Sequence, residues 1–276
     1  MSNQKSSGPP SEVTNYYQEF DEDSRLQTGF FQLEFARTRE LILRHLPPAP
    51  AVVADIGGGS GVYSCWLAAL GYEVHLVDAS PKLVEQARAR SEKQNHPIAS
   101  IYVGDARKLE FGDNFADAVL LLGPLYHLTE RGDRMQSLRE AHRVLRREGV
   151  LCAAAISRFA SLFDSLANGF FDKAEFAEIL KRDLAEGQHR NPTGDLNYFT
   201  TAFFHRPAEL REEIGEAGFR DVSLFPIEGP GWIARDFESL WRDDGQRARL
   251  LEYVRKVEGE PEILGATAHL MAIARK

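Results

Sequence analysis

The stretch Asp55-Ile56-Gly57-Gly58-Gly59-Ser60-Gly61 places glycines at alternate positions, 57, 59 and 61, with Gly58 between the first two. Glycine has no Cβ, so such a run lets backbone amides approach a ligand that side chains would hold away. Asp78, followed by Ala79, lies 23 residues after Asp55. A carboxylate at that spacing can accept hydrogen bonds from both hydroxyls of an adenosine ribose. Gly104-Asp105-Ala106 supplies a third group. Its carboxylate can accept from an adenine amine, and the Ala106 amide can donate to a ring nitrogen. Dinucleotide sites use related loops, but their fingerprint requires Gly or Ala three positions after the second glycine, where this chain has Val62. A nucleotide-dependent oxidoreductase is therefore the weaker reading, and a binding or regulatory protein without turnover stays as a further alternative.

A second group of residues follows Leu121: Leu122, Gly123, Pro124, Leu125, Tyr126 and His127. His127 is the candidate general base, needed only if an acceptor must lose a proton. The eight histidines are scattered, without the short spacings of a ligand set, so no metal is expected.

These residues need elements to position them. Residues 51–56 form a short apolar run suited to a strand buried on both faces. Glycine turn and helix follow, with Gly71 placed to cap the helix. The pattern predicts further strands at 73–78, 98–103, 115–122 and 150–156, with Ser80-Pro81 starting a helix that runs to Gln94 and another helix over 131–147. Alternating strands and helices imply a doubly wound, mostly parallel sheet with right-handed crossovers. A helix over 30–46, with Phe31, Phe35, Thr38, Ile42 and Leu46 on its apolar face, should precede the first strand. Residues 157–205 break the rhythm with Phe159, Phe163, Phe170, Phe171, Phe176, Tyr198 and Phe199 among helical signals, which suggests a cap insertion. A helix at 207–217 and strands at 219–226 and 267–275 close the core around a second insertion at 229–262. The division is thus a disordered tail (1–12), an N-terminal helical lid (13–50), a cofactor-binding core (51–156), a cap (157–205) and closing elements (206–276).

Taken together, the glycine loop, Asp78 and Asp105-Ala106 resemble the cofactor edge of the class I S-adenosylmethionine-dependent methyltransferases, small-molecule type. The resemblance implies a Rossmann-like, seven-stranded sheet with an antiparallel last strand and S-adenosyl-L-methionine as cofactor. It further implies that Asp55, Gly57, Gly58, Gly59 and Gly61 face the methionine portion, Asp78 and Ala79 the ribose, Asp105 and Ala106 the adenine, and Leu122-Gly123 the sulfonium. Through the same resemblance the leading helix becomes a lid, so Tyr17 is a candidate cofactor contact, with Tyr16 and Arg25 beside it. Gly123 stands where nucleobase-amine methylases carry Asp or Asn, which points away from nucleobase acceptors.

The chain has 276 residues, a formal charge of -8 and 43% hydrophobic residues. An acidic balance disfavours nucleic acid, whose phosphates call for a basic face. No segment approaches the ~20 apolar residues of a membrane span, and the polar N-terminus lacks the apolar core of a signal peptide. Cys65 and Cys152 sit singly in apolar runs, so a reducing, cytoplasmic setting is expected. The aromatic insertions and the 13–30 segment are expected to line the acceptor pocket, which favours an apolar or aromatic small molecule.

Overall fold

The structure, a computed structural model, describes Val13, Tyr16 and residues 25–276. A mixed α/β frame is built on parallel strands β1 (Val52–Ile56), β2 (Glu73–Asp78), β3 (Ser100–Val103), β4 (Ala116–Leu121) and β5 (Leu145–Ser157). Strand β9 (His269–Arg275) pairs antiparallel with β5, and β8 (Arg220–Pro226) antiparallel with β9. The frame therefore runs β3-β2-β1-β4-β5-β9-β8. Near-continuous apolar strands such as β1 and β4 suit this arrangement because helices cover both sheet faces.

Strand order reverses beside β1: β2 and β3 lie on one side, β4 and β5 on the other. Crossovers leave in opposite directions there, opening a crevice beyond the carboxyl ends of β1 and β4. The loop after β1 enters helix α2 (Val62–Ala69), and Gly71 turns the chain at φ +91° to begin β2. Ser80 caps α3 (Pro81–Ser91), its Oγ accepting from Leu83 N at 3.4 Å. That helix stops at Ser91, short of the predicted Gln94.

Two other boundaries differ in an informative way. The helix predicted over 131–147 ends at Val144, because Leu145 already pairs with Ala116 of β4 and joins β5. The leading helix α1 (Phe31–His45) buries Leu33, Glu34, Arg37, Thr38, Leu41 and Ile42. Phe31 and Phe35 stay partly exposed. The buried stripe is thus rotated from the apolar one, since two charged side chains find partners inside.

The aromatic segment forms α6 (Ala160–Asn168), α7 (Ala174–Glu186) and two strands the pattern does not predict, β6 (Gln188–His189) and β7 (Ala202–His205). Strand β7 pairs with the last two residues of β5, past the point where β4 ends. Between β4 and β5 lie a short helix α4 (Pro124–His127) and α5 (Arg131–Val144), and α8 (Pro207–Glu216) precedes β8. Helices α9 (Phe237–Arg242) and α10 (Asp244–Val257) fill the second insertion. No helix among the described residues is long and apolar enough to cross a membrane.

Candidate active site

Strand ends, the loop after β1 and α1 enclose one cavity. At its floor Asp55 is 1% exposed. Its Oδ2 accepts from Ser64 Oγ at 2.6 Å, whereas Oδ1 has no hydrogen-bond partner among the described residues. Burial pushes the Asp55 carboxyl up to about 6, the Ser64 hydrogen bond opposing and the Asp78 charge adding to it. An unsatisfied buried carboxylate oxygen is costly until a cation or donor reaches it. Asp55 therefore suits the cationic end of a ligand.

The glycine loop is shaped by backbone bonds. Gly57 N and Gly58 N both donate to Val77 O, at 2.7 and 3.2 Å, which folds the loop over the end of β2. Gly59 N then donates to Asp78 Oδ2 at 2.9 Å. Gly59 lies at φ +56°, and a Cβ there would meet no protein atom within 4 Å, so the position opens onto ligand space. At Gly58 the requirement is internal, because a Cβ would stand 2.8 Å from Asp55 Oδ2 and from Leu76 Cγ. Gly61 differs from its neighbours: it does not line the cavity and instead brings α2 close to Ala87 of α3. Its glycine serves helix packing and the turn into α2.

Asp78 accepts from Gly59 N with one oxygen and from Ser80 N, at 2.8 Å, with the other. Burial raises its pKa and these two amides counter it. A carboxylate has about four acceptor positions, so roughly two remain for ligand hydroxyls. Ala79, Ala106 and Leu122 line the same cavity. Asp105 lines it too, but its carboxylate is engaged by Arg107, whose Nη2 donates to Oδ2 at 2.6 Å while Nη1 reaches Asp133 at 2.9 Å. Burial works against Asp105 ionisation, yet Arg107 holds its pKa below the usual value. The sequence leaves Asp105 open to an amine; the structure hands it first to a guanidinium two residues away.

His127 ends α4 and lines the cavity under Tyr126 and Phe199, with ring centroids 4.6 and 6.0 Å away. Burial lowers its pKa to about 4, against a hydrogen bond with the Thr201 backbone. The imidazole is neutral at physiological pH, and its titration lies well below the ordinary histidine range. Tyr16 is buried and meets Phe199 edge-on at 5.5 Å, while Tyr17 lies outside the described residues.

The other end of the cavity is made of residues that sequence reasoning missed or only touched. Arg25, Glu34, Thr38, Ala154, Ile227 and His269 line it. Arg25 pairs with both oxygens of Glu34, at 2.8 and 3.1 Å. His269 Nδ1 donates to Glu228 Oε1 at 2.6 Å and stands 3.8 Å from Glu34 Oε2. Glu228, 0% exposed, also accepts from Thr267 Oγ1 and His269 N. One carboxylate or imidazole atom from each of Glu34, Glu228 and His269 falls within 4.8 Å of the others. A metal ion there would have to displace the Arg25 guanidinium and the imidazole proton. A signal for these residues was present in α1, where Glu34 and Arg37 interrupt a stripe of Leu33, Leu41 and Ile42. Nothing local marks Glu228 or His269.

The expectation that the insertions line this cavity is not met among the described residues: no residue of 157–205 or 229–262 does so. Several of their aromatic side chains pack on one another instead. Phe170 and Tyr198 pack on Phe176, Ile179 and Leu180, and Phe163 and Phe199 join Trp232 and Phe204.

Residues 54–153 match the family described as "Methyltransferase domain". A ubiquinone biosynthesis O-methyltransferase from Azorhizobium caulinodans is 28% identical over 72% of this chain and 75% of its own length. A glycine/sarcosine N-methyltransferase from Aphanothece halophytica is 24% identical over 63% of this chain and 68% of its own. In fold, a S-adenosylmethionine-dependent methyltransferase from Methanosarcina mazei superposes with a TM-score of 0.58 at 19% identity, covering 86% of this chain and 96% of that one. Residues 54–153 thus form a methyltransferase domain, and the chain shares the fold of S-adenosylmethionine-dependent methyltransferases. S-adenosylmethionine is the cofactor of the Methanosarcina mazei structural neighbour. The loop amides, the unpartnered Asp55 oxygen and the remaining lone pairs of Asp78 are chemically suited to that cofactor's ammonium and ribose groups.

Proposed function

We propose that Asp55 and the loop from Gly57 to Ser60 hold the amino-acid end of S-adenosylmethionine, Asp78 and Ala79 its ribose, and Asp105, Ala106 and Arg107 the adenine end. The cofactor, when bound, supplies a methyl carbon activated by a positive sulfur for in-line displacement. The protein's part is alignment, which can lower such a barrier by ~7 to 11 kcal/mol. Leu122 and His127 sit at the rim after β4, where donor and acceptor must meet. His127, being neutral, can accept a hydrogen bond from an acceptor's hydroxyl or amine and orient its lone pair. The single observation that carries this reading is the coexistence, in one cavity, of a buried carboxylate with one unpartnered oxygen, an open glycine turn and an aspartate with lone pairs to spare.

A small, partly apolar acceptor suits a cavity lined by Leu26, Leu122, Ala154 and Ile227. Nucleic acid is a poor fit, because basic residues such as Arg143 and Arg146 are paired with Asp113, Glu140 and Asp117. Cys65 and Cys152 are both buried, which suits a reducing cytoplasm. Calorimetry with S-adenosylmethionine, S-adenosylhomocysteine and NADH tests the cofactor assignment. The first two should bind and NADH should not, and Asp78→Ala should weaken binding about tenfold or more, since hydrogen bonds to a charged acceptor contribute ~1.5 to 3 kcal/mol. An unchanged Kd in a folded Asp78→Ala protein removes Asp78 from the site.

A further inference from the structure

Strand β9 lies four strands from β2 across the order β2-β1-β4-β5-β9. At ~4.8 Å per strand this sets His269 roughly 19 Å from Asp78 across the sheet, beyond β4 and β5. The cluster around His269 is therefore at the far end of the cavity from the ribose aspartate, with the His127 rim between them. This placement rests on the cofactor reading above.

His269 is held there with one ring nitrogen committed. Nδ1 donates to Glu228, which is itself fixed by Thr267 Oγ1 and the His269 amide. Nε2 makes no hydrogen bond among the described residues, and the side chain keeps 17% of its surface open where it lines the cavity. The groups facing the ring come from three separate places: Glu34 from α1, Arg25 from the segment before it, and Glu228 from the turn after β8. With a neutral ring the cluster would carry two carboxylates against one guanidinium. Protonating His269 brings the four groups to zero net charge.

We propose that His269 is the recognition group for the acceptor, and that it selects small molecules bearing an anionic oxygen, a carboxylate or a phenolate, by presenting Nε2–H as a charged donor at the end of the cavity opposite the ribose site. Several features support this. Burial opposes the charge, but Glu34 and Glu228 together raise the His269 pKa to about 9, so the donor is present at physiological pH. Arg25 cannot take the role as it stands, because Glu34 occupies two of its guanidinium nitrogens. His127 is neutral, so the two histidines offer the acceptor different chemistry: a lone pair at the reacting rim and a charged N–H at the far end. A charged donor of this kind discriminates an anion from its neutral isostere by about ten- to a hundredfold.

Two pairs of probes test the proposal on the full chain. Benzoate is titrated against benzamide, and 4-nitrophenolate against nitrobenzene, with binding read from imidazole NMR shifts and by calorimetry. Each titration is run with and without saturating S-adenosylhomocysteine. The expected result is that at least one anion binds tenfold or more tightly than its neutral partner near neutral pH, with the shift centred on His269. That preference should vanish as pH rises past about 9, and in His269→Gln. Equal binding within both pairs, no binding of either anion up to its solubility, or a preference that survives His269→Gln overturns it. If the variant does not fold, the wild-type pH titration decides the matter, since loss of the imidazole proton removes the donor without a substitution. Failure of S-adenosylhomocysteine to bind sinks the cofactor assignment, whereas its binding without anion preference sinks only the role of His269.

Discussion

The two ends of the cavity are built on opposite plans. At the proposed cofactor end, backbone amides and aspartates come from the loops after three consecutive strands within residues 55–107, so sequence neighbours are also spatial neighbours. At the His269 end, Arg25, Glu34, Glu228 and His269 arrive from three distant parts of the chain. The first end leaves a carboxylate oxygen unpartnered, as a site does when its ligand brings the cation. The second arrives already balanced, each carboxylate matched by a guanidinium or imidazole. A shared scaffold can keep one end constant and alter the other without disturbing the turns.

The sharpest way to break this comparison is at Gly59. Replacing it with Val places a β-branched side chain at φ +56° and fills the open space beside the loop. Cofactor binding should become undetectable by calorimetry while circular dichroism stays near wild type. Normal binding would show that the loop does not touch the cofactor.

A smaller effect is expected at the rim. His127→Ala should lower kcat by about 100-fold, near the lower bound for a positioned proton acceptor, and leave cofactor Kd unchanged. The wild-type pH profile sharpens the point, because a base works only in its unprotonated form. The limb due to His127 should fall near 4, where burial puts its titration, and not near the ordinary value of about 6.5. A mutant with unchanged kcat would return His127 to packing under Phe199.

The smallest effect belongs to Asp55. Its carboxyl titrates near 6 in the ligand-free protein, and a cationic partner favours the ionised form. Below that pH, binding must first expel a proton, so affinity should weaken as pH falls, by at most about tenfold per unit. Above pH 6 affinity should be flat with respect to this group. A Kd for S-adenosylhomocysteine that is constant from pH 5 to 7 would mean that Asp55 does not meet the ammonium.

This contrast also explains what could be read from the sequence. The doubly wound sheet and the glycine loop after its first strand were legible because apolar runs, glycines and turn residues are local signals. Asp105 shows where local reading stops, since only the fold reveals that Arg107 takes its carboxylate. The helix boundary at Val144 was hidden because Leu145 is as apolar as a helix face requires and changes element only through pairing with Ala116. The rotated stripe of α1 was hidden for a related reason: Glu34 and Arg37 read as solvated until their partners, Arg25 and Glu258, are in place. His269 is one polar residue at the mouth of a strand, and no spacing ties it to Glu228, 41 positions earlier.

The cap's attachment has an energetic consequence of another kind. Phe170, Phe176, Ile179, Leu180 and Tyr198 form a nucleus of their own, and β7 meets β5 through only Ile156 and Ser157. Strands β4 and β9, by contrast, grip β5 along most of its length. Cooperative units open separately when few contacts join them. The Phe176 nucleus of the cap should therefore open at a free energy below that of global unfolding, while the trunk that carries the glycine loop stays intact. Amide exchange would resolve this as two tiers of protection, with β5 itself divided between them at its last two residues.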